Sequence, residues 1–122
     1  MKYALLIYVD PDARTDAPAA GGEVMDSWLD YTAALSGAGA ALGAEALRPV
    51  DTATTVRSRG GERLLTDGPF IETKEHLLGF YLLDVPDLDA ALDWAARMPV
   101  VGYGSVEVRP VQEGQAWRAP LE

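Results

Sequence analysis

The residues most able to do chemistry crowd into one short string, Thr66-Asp67-Gly68-Pro69-Phe70-Ile71-Glu72-Thr73-Lys74-Glu75, with His76 directly after it. Asp67-Gly68 is a turn signal, because Asp bonds its own backbone and Gly accepts positive φ. Pro69 biases Gly68 away from the helical region and removes a donor, so the chain is expected to leave the preceding strand sharply at Asp67. Extended from Phe70 to Lys74, the string would set Phe70, Glu72 and Lys74 on one face. An aromatic wall beside a carboxylate and an ammonium suits the mouth of a site for a polar small molecule. A helical turn from Glu72 to Leu78 would instead bring Glu72 to Glu75 and His76. A rigid structural turn carrying a solvated charge cluster is the plain alternative to both.

Outside the string, Glu107 and Arg109 are two apart on a strand-like run and project from one face. An Arg fork can hold a ligand carboxylate, although an exposed pair on a sheet rim needs no ligand. Glu45, beside Gly43, is a candidate general base or an ordinary edge-strand charge. Arg57, inside a hairpin, is expected to neutralise Asp67 or Glu72 as a structural ion pair. His76 is the only histidine. It lies in a polar connection with no acid–nucleophile spacing around it, and reads as a surface residue. Proton transfer would thus fall to Asp67, Glu72 or Glu45, with Phe70, Lys74, Arg57, Glu107 and Arg109 as ligand contacts.

Several chemistries are not indicated. One histidine and no cysteine make a zinc site improbable and supply no disulfide or thiolate, so no metal and no cofactor is expected. Gly60-Gly61 lacks the helix and Lys-Ser/Thr of a phosphate loop, and no Gly-x-Ser-x-Gly elbow occurs. Nineteen acidic against 10 basic residues give a net charge of −9, which repels phosphate backbones and anionic membrane surfaces. Neither nucleic acid nor membrane is an expected partner. Met1-Lys2 and the apolar run behind it only superficially resemble a signal peptide, because the run is short and stops at Asp10-Pro11. A cytoplasmic protein is the expectation.

These residues must be held by a framework, and 122 residues with 48% apolar content suffice for one domain with a real core. Tyr3 to Val9 reads as a strand with apolar side chains on both faces. Asp10 to Gly22 is a loop long enough to act as a lid or simply to lie on the surface. Glu23 to Gly37 reads as a helix with Met25, Trp28, Leu29, Thr32 and Leu35 on its buried stripe. Gly43 to Arg48 reads as a strand that Pro49 ends. Thr52 to Ser58 and Glu62 to Asp67 form a hairpin around Gly60-Gly61. Leu78 to Val85 is again apolar on both faces. Asp87 caps a helix with Leu88, Ala91, Leu92 and Ala95 on its inner stripe, closed by Met98-Pro99. Ser105 to Val111 is the last strand. Residues 1–111 form the domain and 112–122 a tail that Trp117 would dock.

This order, two strand–helix–strand units around a hairpin, predicts an α+β ferredoxin-like sandwich with both helices on one face. The other face would be a large bare apolar patch, so a second copy is the simplest cover: a homodimer with sheets face to face. Asp67-Gly68-Pro69-Phe70 with Glu72-Thr73-Lys74-Glu75 resembles the signature of the DGPF branch of the YCII-related proteins. Gly79-Phe80-Tyr81 and Val106-Glu107-Val108-Arg109-Pro110 extend the resemblance from about Lys2 to Val111. It implies a dimeric α+β barrel with a pocket. For the wider YCII group it implies a histidine–aspartate pair with the histidine near the first helix. This sequence departs there, with Met25-Asp26-Ser27-Trp28 in that place. Three functions stay open: a lyase, isomerase or hydrolase using the pocket carboxylates on a small molecule held by Lys74 or Arg109; a non-catalytic metabolite-sensing or protein-interaction module; or an assembly domain with a filled interior.

Overall fold

The computed structural model describes residues 1–11 and 22–113, with side chains of the first helix described from Asp26 onward. The expected lid between Asp10 and Gly22 falls largely outside these residues, and so does the docking of Trp117. The elements run β1 (Lys2–Val9), α1 (Gly22–Gly37), β2 (Ala41–Ala46), β3 (Thr54–Arg59), β4 (Glu62–Asp67), β5 (His76–Asp84), α2 (Leu88–Ala96) and β6 (Ser105–Pro110). Four strands make one antiparallel sheet in the order β2-β5-β1-β6, and β3-β4 form a separate two-stranded sheet. Two helices with antiparallel strands in this order give the α+β, ferredoxin-like arrangement.

The pleat decides which side chains meet the helices. Cross-strand rows on the inner face read Ala44–Tyr81–Leu5–Val108 and Ala46–Gly79–Ile7–Val106. Tyr3, Leu5, Ile7, Tyr81 and Leu83 are buried there in one cluster with Tyr31, Leu35, Ala91 and Ala95 of the helices. Removing a side chain such as Leu83 from water is worth ~2 kcal/mol. On the outer face Ala4, Leu6, Phe80 and Leu82 are only half-buried. That face is apolar at its centre, as the sequence reading of β1 and β5 requires.

Both helices are turned slightly from the expected stripes. Tyr31 is buried and Leu29 is exposed, so α1 presents Trp28, Tyr31 and Leu35 inward. The reason is chemical: Tyr31 stacks on Tyr81 and donates its hydroxyl to the Trp94 carbonyl at 2.8 Å, contacts that Leu29 cannot supply. In α2, Ala91 and Ala95 are buried, with Ala90 and Trp94 beside them, while Leu88 and Leu92 stay exposed. The Asp87 cap is as expected, its Oδ1 accepting from the Ala90 amide at 2.9 Å. Strand β2 begins two residues earlier than its sequence pattern indicates, and β5 two residues earlier, at His76.

The approach of β2 to β5 depends on Gly79. A Cβ there would fall 2.5 Å from the Glu45 carbonyl oxygen, so only glycine lets the two backbones close this tightly.

Candidate functional site

Strand β4 delivers the chain into the bend at its end. Gly68 adopts φ +105°, a conformation that favours glycine, and its amide donates to the Ala53 carbonyl at 2.7 Å. Thr55 Oγ1 donates to the Gly68 carbonyl at 2.9 Å, which clamps the bend to the base of the hairpin. From Gly68 to Glu75 the backbone is neither strand nor helix. Neither of the two regular conformations expected for this stretch forms. Pro69 breaks the ladder, and local side-chain bonds such as Thr73 Oγ1 to the Glu75 carbonyl take over from it.

This irregular path changes which side chains meet. Asp67 and Glu72 line one hollow of about 470 Å³ together with Asp51, Pro69, Thr73 and His76. His76, expected at the surface, is half-buried as the first residue of β5. Its position was set by β5 starting earlier than the apolar pattern shows. Asp51 comes from the short 3₁₀ turn Val50–Thr52 and carried no signal in the sequence beyond its charge.

The other expected site residues go elsewhere. Phe70 is exposed, and the Arg57 guanidinium lies over its ring at 5.0 Å. Arg57 therefore rests on an aromatic face, with no salt bridge to Asp67 or Glu72 among the described residues. Lys74 does not share a mouth with Phe70 and Glu72. Its Nζ sits 3.9 Å from Oδ2 of Asp10, a buried carboxylate at the end of β1, so it leans the bend against the sheet. Glu107 and Arg109 do share a face, as their spacing requires, with Arg109 Nε 4.0 Å from Glu107 Oε2. Both are well exposed, so the pair contributes little to stability. Tyr8 donates to Glu107 Oε1 at 3.4 Å, and these two border a second hollow of about 350 Å³ with Thr73, Glu75 and Ser105. Ser105 Oγ donates to Glu75 Oε1 at 3.3 Å across it. Glu45 pairs with Phe80 in register and borders a third opening at the β2 edge.

Of the eight candidate residues, Asp67 and Glu72 share one hollow with the histidine, Glu107 and Glu45 border the other two openings, and Phe70, Arg57, Lys74 and Arg109 line none of the three. Each candidate cation is already engaged: Arg57 by Phe70, Lys74 by Asp10, Arg109 by Glu107. Among the described residues no group of three or more His, Asp or Glu side chains is arranged to hold a metal ion. Among the described residues no helix is long and apolar enough to cross a membrane.

The chain is 51% identical over 67 residues to "Uncharacterized protein R00369" of Rhizobium meliloti (strain 1021), a match covering 53% of this chain and 54% of the relative. The chain thus matches about half the length of that relative. The family model for the YCII-related domain matches residues 1–115, which takes in both helices, every strand and the whole bend, and the chain accordingly belongs to the YCII-related domain family.

Proposed function

We propose that this chain is a small-molecule-binding protein, working as a homodimeric α+β barrel, whose ligand sits in the hollow beneath the bend. The observation that carries this reading is the convergence of Asp67, Glu72 and His76, from the end of β4, the bend and the start of β5, on one hollow of about 470 Å³. That volume falls within the range of small-molecule sites. With Asp51 in the same lining, carboxylates outnumber basic groups, which favours a cationic or neutral hydrogen-bond-donating ligand over an anion. An anionic substrate held by Lys74 or Arg109 is the weaker reading, because both cations already lie beside carboxylates elsewhere.

Asp67 and Glu72 are exposed. A general base works best in a site from which water is excluded, so their exposure favours binding or sensing over turnover. The homodimer is supported by the half-buried, apolar outer-face pairs Ala4–Leu82 and Leu6–Phe80. Sheets stacked face to face lie ~10 Å apart, close enough for these side chains to interdigitate with a twin across a two-fold axis.

The test is a thermal-shift and NMR screen of small amines, phenols and carboxylic acids. The single histidine makes the imidazole resonances unambiguous. Amines or neutral donors should raise the melting temperature and move the His76 resonances, and Glu72→Gln or Asp67→Asn should weaken both effects. No stabilisation by any compound, with the His76 resonances unmoved, refutes the reading.

A further inference from the structure

The third opening is built differently from the hollow under the bend. It is a groove of about 500 Å³ between α1 and the β2–β5 edge, walled by Trp28, Tyr81 and Tyr103 over a floor of Ala44, Ala46 and Gly79. The sheet rows explain why it forms. The row Ala44–Tyr81–Leu5–Val108 is filled at β5 by a tyrosine, whereas the next row, Ala46–Gly79–Ile7–Val106, has no side chain at β5 and one methyl at β2. Gly79 is small because the Glu45 carbonyl would collide with a Cβ. Ala44 and Ala46 are exposed and line the space. The groove is therefore open to solvent at the sheet edge, with small side chains between aromatic ones.

The walls are held in place before anything binds. The Trp28 ring meets Tyr31 edge-on at 6.4 Å and 87°, and Tyr81 at 6.2 Å and 74°. The Tyr81 hydroxyl is fixed 3.0 Å from Thr32 Oγ1. The Tyr103 hydroxyl makes no hydrogen bond among the described residues, so the groove retains one uncommitted polar handle. Rigid aromatic walls recognise flat rings with little loss of side-chain entropy. Glu45 stands at the border and the chain carries net charge −9, which disfavours an anionic ring.

We infer that this groove is a second ligand site, taking a planar aromatic molecule that is neutral or cationic and presents a hydrogen-bonding edge to Tyr103.

The experiment titrates the full chain with 2-naphthol, and separately with the anion 2-naphthoate, following amide and indole N–H resonances by NMR. Saturable shifts are expected at Ala44, Ala46, Gly79 and the Trp28 indole, with 2-naphthoate binding weaker by about tenfold or more. Ala46→Leu places a branched side chain on the exposed floor. It should reduce 2-naphthol affinity by about tenfold or more while the remaining spectrum stays native. Ala44→Leu is the second variant should the first disturb the sheet. Shifts that fail to saturate or scatter over the surface would overturn the site, as would undiminished affinity in a folded leucine variant. Equal binding of 2-naphthoate would overturn the charge selection. Movement of His76 instead of Gly79 would assign the binding to the bend, so the two sites are told apart in one titration.

Discussion

Tyr31 and Tyr81 lie stacked, ring centroids 5.4 Å apart and planes inclined by only 16°, and this pair joins α1 to the centre of the sheet. The Tyr31 hydroxyl continues to the Trp94 carbonyl on α2 at 2.8 Å, so one side chain ties both helices to β5. Burial, and secondarily the neighbouring Tyr81, push its phenol well above the ordinary value of 10.0, while Arg97 acts in the opposite direction.

The sign of the resulting pH dependence follows. Above the unfolded value the unfolded chain loses this proton and the folded chain keeps it, so stability falls as pH rises past about 10. At neutral pH, Tyr31→Phe should cost ~1 kcal/mol through the lost hydrogen bond. Its alkaline decline should be shallower than that of the parent, so the two denaturation curves should draw together as pH rises from 9 to 11. Parallel decline in both proteins would refute the assignment.

Arg57 over the Phe70 ring is an exposed cation–π contact. A double-mutant cycle of Arg57→Ala and Phe70→Ala should return a coupling of ~0.5–1 kcal/mol. A coupling of zero, measured by urea denaturation, would mean that this contact does not help to hold the bend.

Gly79→Ala drives a methyl toward the Glu45 carbonyl. The expected loss is ~1–3 kcal/mol, with the amide resonances of Ala44 to Ala46 displaced most as β2 shifts away. An unchanged denaturation midpoint would show that β2 yields without cost.

On the proposed dimer, the half-buried outer-face side chains Leu6, Phe80 and Leu82 pack against a second copy. Light scattering should return twice the 13.1 kDa chain mass, and Phe80→Asp should reduce it to one chain without loss of secondary structure. A monomer in the parent protein would leave the apolar face unexplained.

Asp87→Ala removes the acceptor of the Ala90 amide. Thermal unfolding should show a loss of ~1 kcal/mol, with Asp87→Asn close to the parent.

The framework was legible because its signals are local. The alternation in β1 and β5, the glycine pair between β3 and β4, and Asp87 before α2 each act within a few residues. The helix stripes were legible only approximately. A pattern of apolar positions cannot tell Leu29 from Tyr31 when the aromatic ring finds a stacking partner fifty residues away. The site was harder still. The partners of Lys74, Arg57 and Glu75 are Asp10, Phe70 and Ser105, and in two of the three cases the contact crosses between distant segments.

The sequence by itself determined the order of elements, the sharp exit at Asp67-Gly68-Pro69 and the two apolar faces of the central strands, since backbone preference and side-chain parity suffice for these. Only the tertiary structure decided that Asp67, Glu72 and His76 share a hollow while Lys74, Arg109 and Glu45 do not. An irregular bend has no period to read, and its side chains settle wherever charge, hydrogen bonds and neighbouring strands receive them.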